Sequence, residues 1–384
     1  MTSVQAATKG LSCAIRLSTP TSSLLLDVGD SDATRPTTDD RLILLSHVHA
    51  DHSGGLCDQQ LRDLPFMCSE VTAHSLLDTG RIDRRGLIRR ARVARPGQLS
   101  RLSETLVVEP FAAPHCPGSL GYRITDGNHT VFFTGDVLLT TARHDFLADF
   151  IDRVANDTGP QRTVLLDATM GGRTQGATGA DAGRALLDAT RGIPDVIICA
   201  SDASQLLYAY LDLFAVISET PDLRHRYAFL ISHEVRRFAQ LLHDAFITRR
   251  ANELDPLLSA QYGKAMSSWA ESRSLFWLDT LQARPLDRAR VWFVLPADMI
   301  ALGLSGVGVG IGRVEPRELP LEPLAIDTTP WTQHSCEDIV IDAVHRLAPH
   351  ARVLLFHRTE RQLRRFISDS KLPAEALQSA ATHL

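Results

Sequence analysis

Short apolar runs bounded by polar residues fill the first part of the chain. They are SSLLLDVG (22–29), RLILLSHVH (41–49), TLVVEPFAAPH (105–115), HTVFFTGD (129–136) and RTVLLDATMGG (162–172). Runs of this length, rich in Val, Leu, Ile and Phe, predict buried strands. Each carries a polar residue at its end: Asp27, His47, His115, Asp136 and Asp167. Rigid strand tips with loops beyond them are where α/β folds place their chemistry.

Beyond residue 172 the pattern changes. GGRTQGATGADAGR (171–184) reads as a glycine-rich loop. The strand DVIICAS (195–201) follows, then SQLLYAYLDLFAVI (204–217) with apolar residues at helical spacing. YAFLIS (227–232) predicts another strand, and HEVRRFAQLLHDAFITRR (233–250) a helix with Val235, Phe238, Leu241, Leu242 and Phe246 on one side. RARVWFVLPA (288–297) is a further strand, followed by the glycine-rich GLSGVGVGIG (303–312). This alternation predicts a smaller α/β domain. VEPRELPLEPLAIDTTP (314–330) reads as a return linker. HSCEDIVIDAVHRLAP (334–349) then predicts a helix with Ser335 as N-cap and Asp338 three residues on, before the strand RVLLFH (352–357). The expected division is 1–172, an inserted domain 173–312, and a return over 313–384.

Composition alters this picture little. At 384 residues the chain exceeds the usual size of one core. Its formal charge of -5 argues against a broad basic surface but leaves a local basic groove open. Cys13, Cys57, Cys68, Cys116, Cys199 and Cys336 are scattered and form no C-x-x-C pair. That favours a reducing, cytoplasmic setting over a disulfide framework. The N-terminal stretch has no signal-peptide pattern and no segment approaches a membrane span, so a soluble protein is expected.

The densest chemistry is His47-Val48-His49-Ala50-Asp51-His52, directly after the apolar run LILLS. Neutral imidazoles and a carboxylate suit Zn²⁺ or Mn²⁺, and one loop of this density can serve two ions. Gly54 and Gly55 permit a tight turn behind it.

SHVHADHSGGL resembles the H-x-H-x-D-H signature of the metallo-β-lactamase superfamily, PHCPGS its H-x-P-G-S segment, and FFTGDVLL its T-G-D segment. The resemblance implies an α/β fold, the αββα sandwich. It implies two divalent ions: His47, His49 and His115 hold one, Asp51 and His52 the other, and Asp136 bridges them. Asp27 then matches the family's structural Asp, which orients the ligand loop. Two ions so placed activate water and stabilise developing negative charge.

The length of chain before the last histidines resembles the β-CASP branch, whose members cut nucleic acids. Asp167 in LLDATMGGR resembles that branch's acidic motif, with Thr169, Gly171 and Arg173 retained and Met170 at the usual Tyr. His334-Ser335 resembles its His-Ser pair, and His357 its last histidine. On this resemblance His357 completes the second metal site, with His350 as the rival ligand. His334, with Ser335, contacts the scissile phosphate and protonates the leaving oxygen. Asp167 orients one of these histidines. Asp51, Asp167 and His334 are thus the catalytic candidates. His74, His129, His144, His225, His233, His243, His345 and His383 read as surface or core residues, His233 being the one to check.

The ligand-loop and PHCPGS segments look closest to Artemis-like DNA nucleases. A His at 357, with Glu360 completing H-x-x-E, is typical of RNA-cutting members such as ribonuclease J, although the usual H-G-E is His-Arg-Thr-Glu here. The expected function is hydrolysis of RNA or DNA phosphodiesters, with exonuclease action, end preference and homo-oligomer formation left open. A small-molecule metallo-hydrolase whose second domain is a lid, and a non-catalytic scaffold subunit, are the alternatives.

Overall fold

The computed structural model describes residues 2–6, 12–20, 22–29, 37–127, 129–139, 146–169, 178–200, 202–220, 223, 226–232, 235–236, 240, 289–311, 314, 319–331, 334–378 and 382–383. Its strands form three sheets. The first joins β1 (Ser3–Ala6), β2 (Ile15–Ser18), β3 (Ser23–Leu26), β4 (Asp40–Leu44), β5 (Phe66–Cys68) and β6 (Ala91–Val93). The second contains β7 (Ser100–Arg101), β8 (Leu106–Ala112), β9 (Leu120–Asp126), β10 (His129–Phe133) and β11 (Gln161–Asp167). The third holds β12 (Asp195–Ala200), β13 (Tyr227–Ile231), β14 (Ala289–Val294), β15 (Gly306–Ile311) and β16 (Leu321–Pro323). The chain then returns: β17 (Arg352–Phe356) and β18 (Glu375–Ala376) extend the second sheet, and β19 (Thr382–His383) extends the first.

Strand periodicity explains the layering, because successive side chains point to opposite faces. Leu24, Leu26, Leu42 and Leu44 of the first sheet share one buried cluster with Tyr122, Phe133, Leu165, Leu354 and Phe356 of the second. That cluster is the core between two stacked sheets. Val164, Leu166, Val353 and Leu355 point the other way, beneath the helices Phe146–Ala155, Glu337–Leu347 and Glu360–Asp369. On the outer side of the first sheet, Leu25, Ile43, Leu45 and Phe66 join the largest cluster, which continues into the second domain through Leu206, Leu207, Tyr210 and Phe293. Continuity of that apolar cluster seats the third sheet and its helices against the first.

Three elements depart from the expected pattern. The helix Gly179–Ala189 begins inside the stretch read as loop, because Thr178 caps it and Asp181 closes a capping box. GVGVGI is strand β15, parallel to β12. Leu321–Pro323, within the stretch read as linker, forms the edge strand β16. Much of the helix expected over 233–250, with His233, Phe238, Leu241, Leu242 and Phe246, lies outside the described residues, as do His144, His225, His243, Met170, Gly171 and Arg173. All six cysteines are free thiols, and among the described residues no helix is long and apolar enough to cross a membrane.

Candidate metal centre

Parallel strands bring the chemistry to one edge. In the first sheet β3 and β4 run parallel, delivering Asp27 and the loop His47–His52 just past their ends. In the second sheet β10, β11 and β17 are parallel neighbours, with Phe133 opposite Leu165 and Asp167 opposite Phe356. That register places Asp136, Asp167 and His357 side by side, although His357 follows the whole inserted domain.

Backbone conformation at these strand ends is costly. Asp27 has φ 57° and His357 φ 71°, in the left-handed region, which costs an L residue about 1–2 kcal/mol. Gly135, beside Asp136, also has positive φ, 59°, and a Cβ there would stand 2.6 Å from Ser46 Cβ. Gly54 and Gly55 serve differently from the turn expected of them. The segment is a short 3-10 helix, Gly54 is right-handed, and Cβ atoms would meet the Gly29 and Val28 carbonyls at 2.6 Å. Close packing against the end of β3 is what requires glycine there.

Asp27 is fully buried. One of its carboxylate oxygens accepts from the Ser46 backbone N–H at 2.7 Å, and the other meets the Ser46 hydroxyl and His52 Nδ1, each at 2.7 Å. Ser46 Oγ also lies 2.9 Å from His47 Nδ1. The far nitrogens of two imidazoles are thereby held, and their Nε2 atoms aim away from these partners.

His47, His49, His115 and Cys116 offer ligand atoms within 4.8 Å of one another, and so do Asp51, His52 and His357. His47, His52 and Asp136 form a group between those two. His47 Nε2 and His357 Nε2 are buried with no hydrogen-bond partner among the described residues, while His52 Nε2 and His357 Nδ1 converge on Asp136 Oδ1 at 3.1 and 2.9 Å. Leaving a buried polar atom unsatisfied costs about 1–3 kcal/mol, so such atoms converging on one space fit a shared cation. His49 Nδ1 and His115 Nε2 are 3.1 Å apart, close to the roughly 3.3 Å edge of a tetrahedron with Zn–N bonds of about 2.0–2.1 Å. The donor set, imidazole and carboxylate, suits Zn²⁺ or Mn²⁺.

Electrostatics point the same way. Burial and the imidazoles of His52, His49 and His115 hold His47 well below the usual histidine range, leaving a neutral donor. Burial also works to lower His52 and His357, but the Asp136 carboxylate, with Asp27 for His52, raises both well above it. Asp136 itself lies well below the carboxylate range, because His357 and His52 outweigh its burial. The cluster of carboxylates therefore demands positive charge at the centre, which protons or divalent cations can supply.

Around this centre, Asp167 stands between two histidines. Its Oδ2 is 3.5 Å from His334 Nδ1 and its Oδ1 is 3.4 Å from His357 Nδ1. Burial and the Asp136 carboxylate push Asp167 up, and its contacts with His334 and His357 bring it down to about 2. Thr169 Oγ1 also meets His357 Nδ1, at 2.5 Å. His334 is partly open, with its ring centroid 4.9 Å from that of His115 and its Nε2 4.0 Å from Asp136 Oδ2. His350 is exposed in the turn between the helix Glu337–Leu347 and the start of β17, the opposite end of that strand from His357. Glu360 pairs with Arg364 instead of extending the cluster.

Ser335 differs from expectation. The N-cap of Glu337–Leu347 is Cys336, and no side chain caps it. The buried Ser335 hydroxyl accepts from the Leu139 N–H at 2.8 Å and faces the Val137 carbonyl at 3.4 Å. Its bonds to the segment after Asp136 take the place of the cap. Sequence reasoning also missed Ser46, Cys116, Asp202 and Ser204. Asp202 and Ser204 come from the second domain, with Asp202 Oδ1 3.1 Å and Ser204 Oγ 3.2 Å from His49 Nε2. The strand-tip rule applied to the first domain would have flagged Asp202, just beyond β12.

Comparison with known proteins agrees with this geometry. Residues 30–191 match a beta-lactamase superfamily domain. The chain is 34% identical over 96 residues to the 5' exonuclease Apollo of Gallus gallus, covering 25% of this chain and 20% of that protein. It is 33% identical over 104 residues to the Rattus norvegicus protein of the same name, covering 26% and 18%. The matched stretch thus spans about a fifth of those relatives. A crystal structure of a protein of unknown function from Enterococcus faecalis V583 superposes with a TM-score of 0.62 at 12% identity over 100% of both chains, a likeness of fold alone.

Proposed function

Because this chain belongs to the metallo-β-lactamase superfamily and its β-CASP nuclease branch, we propose that it is a metal-dependent phosphodiesterase acting on nucleic acid. The observation that carries the reading is the placement of Asp167 and His334 against a ready ligand set for two ions. His47, His49 and His115 would hold one ion and Asp51, His52 and His357 the other, with Asp136 available to both. Bound there, two divalent ions supply an activated water and stabilise charge on the phosphate.

The protein's own groups do the rest. Asp27 and Ser46 fix the rings of His52 and His47, so their free nitrogens stay aimed. His334, at the open side of the centre, contacts the scissile phosphate and donates a proton to the leaving oxygen. Asp167 orients His334 and His357 together. Asp202 and Ser204 of the second domain close over the centre at His49. A local basic surface supports a polyanionic substrate: Arg84, Arg85, Arg92 and Arg95 are exposed, and unlike Arg89, which pairs with Asp63 at 3.2 Å, have no carboxylate partner among the described residues. Strand β6 is parallel to β5, and β5 to β4, so Arg95 lies at the same sheet edge as the ligand loop.

The test is a gel assay with end-labelled single- and double-stranded DNA and RNA, with Zn²⁺ or Mn²⁺. Wild type is expected to cleave at least one of the four and Asp51→Ala none. His334→Ala should be about 100- to 10,000-fold slower, the usual worth of a general acid. Cleavage of none by wild type, or equal cleavage by Asp51→Ala, overturns the proposal, and hydrolysis of only a small ester or lactone favours the lid-covered hydrolase.

A further inference from the structure

We infer that Asp202, contributed by the second domain, is a positioning residue for His49, holding Nε2 so that Nδ1 faces the first ion site. This rests on the two-ion reading of the centre and assigns its geometry in part to the inserted domain.

Four imidazoles of the centre share one design. His47 Nδ1 is held by Ser46, His52 Nδ1 by Asp27, and His357 Nδ1 by Thr169 and the neighbouring carboxylates. In His49 the roles of the two nitrogens are reversed. Nδ1 faces His115 Nε2 at 3.1 Å, and Nε2 lies 3.1 Å from Asp202 Oδ1 and 3.2 Å from Ser204 Oγ. Of these four, His49 is the one whose partners come from across the domain boundary. A carboxylate on the far nitrogen of a ligand imidazole fixes its tautomer and ring orientation and raises its basicity. Asp202 supplies that carboxylate.

Asp202 is itself well held. It is the N-cap of the helix Ala203–Glu219, accepting from the Ser204 N–H at 2.7 Å and also from the Ser204 hydroxyl. Ala203, Leu206, Leu207 and Tyr210 of that helix lie in the same buried cluster as Val48, the residue between His47 and His49. Apolar packing on both sides of the contact thus sets the distance between carboxylate and imidazole. The second domain is therefore part of the metal centre's support.

Asp202→Asn separates this role from the cap, because Asn caps helices as well as Asp does. Zinc binding by full-length wild type and Asp202→Asn would be followed by calorimetry against a competing chelator, with urea unfolding of the chelator-treated proteins alongside. One of two zinc equivalents should weaken about 10- to 100-fold, as for other outer carboxylates, while the urea midpoint stays unchanged. Thr178→Ala, which removes the cap of the neighbouring helix, should leave both equivalents intact. Unchanged zinc affinity in Asp202→Asn, a midpoint that falls with it, or an equal loss in Thr178→Ala overturns the inference. A wild type that takes up no zinc overturns the two-ion reading as well, whereas zinc uptake without nuclease activity counts against the proposed function alone.

Discussion

Two carboxylates, Asp27 and Asp202, each steady a ligand imidazole, and they do so in opposite surroundings. Asp27 is wholly enclosed, sits in the same domain as its histidine, and is bound by three groups: the Ser46 N–H, the Ser46 hydroxyl and His52. Asp202 reaches across from the second domain, and 31% of its side chain is open to solvent. A buried carboxylate with three partners is a structural commitment, because removing it strands every one of them. A half-open carboxylate can hold a ring at little cost to the fold, since water can replace it. The lower side of the centre is therefore built into the folding of the first domain, and the upper side depends on how the second domain is seated.

The largest effect should come from breaking the enclosed member. Asp27→Asn tolerates the same positive φ but offers an amide where two donors and His52 need acceptors. It should destabilise the protein by about 3–5 kcal/mol in urea unfolding. A loss below about 1 kcal/mol would show that the two carboxylates are alike.

The same contrast holds away from the centre and can be read from pH. Asp40 in the first sheet is enclosed and accepts from Arg16 at 3.1 and 3.2 Å, from the Thr37 N–H at 2.7 Å, and from Ser23. Burial works to raise it, but these partners bring it below the usual carboxylate value. A carboxylate depressed in the folded state stabilises above the unfolded value of about 3.9, and that contribution disappears as pH falls through the folded value. Asp40→Asn should therefore cost about 1–3 kcal/mol at neutral pH, and its deficit against wild type should shrink on acidification. A deficit that grows toward acid pH would contradict the sign.

Smaller again is Asp202→Ala, which removes cap and contact together. About 1 kcal/mol is expected from the lost cap, with a zinc defect at least as large as that of Asp202→Asn. Should the stability loss match that of Asp27→Asn, the contrast fails. The smallest effect is expected at Asp195 in the third sheet, whose carboxylate accepts from Trp292 Nε1 at 2.9 Å and pairs with Arg290 while partly exposed. It too lies below its usual value, through Arg290 and Trp292 acting against burial, so its contribution is lost in the same acid direction. Solvent screening should limit Asp195→Asn to below about 1 kcal/mol by urea titration at neutral pH. A cost equal to that of Asp40→Asn would mean that exposure does not separate the two domains.

Local sequence was enough to place strands β3, β4, β8, β10 and β11 and the polar residues at their tips, because a strand's hydrophobic run and its end are near-neighbour properties. It also determined the ligand loop, since His47, His49, Asp51 and His52 lie within six positions and need no long-range partner to be recognised as donors. The tertiary structure alone decided what those donors face. Pairing of β11 with β17 sets His357 beside Asp167 across the inserted domain, and that contact depends on strand register, which no local window contains. Ser335 shows the same limit: its spacing suited an N-cap, but the unpaired Leu139 N–H, remote in sequence, drew its hydroxyl away. Asp202 is the clearest case, because a carboxylate at the start of a helix in one domain acquires its role only when apolar packing brings it to an imidazole in the other.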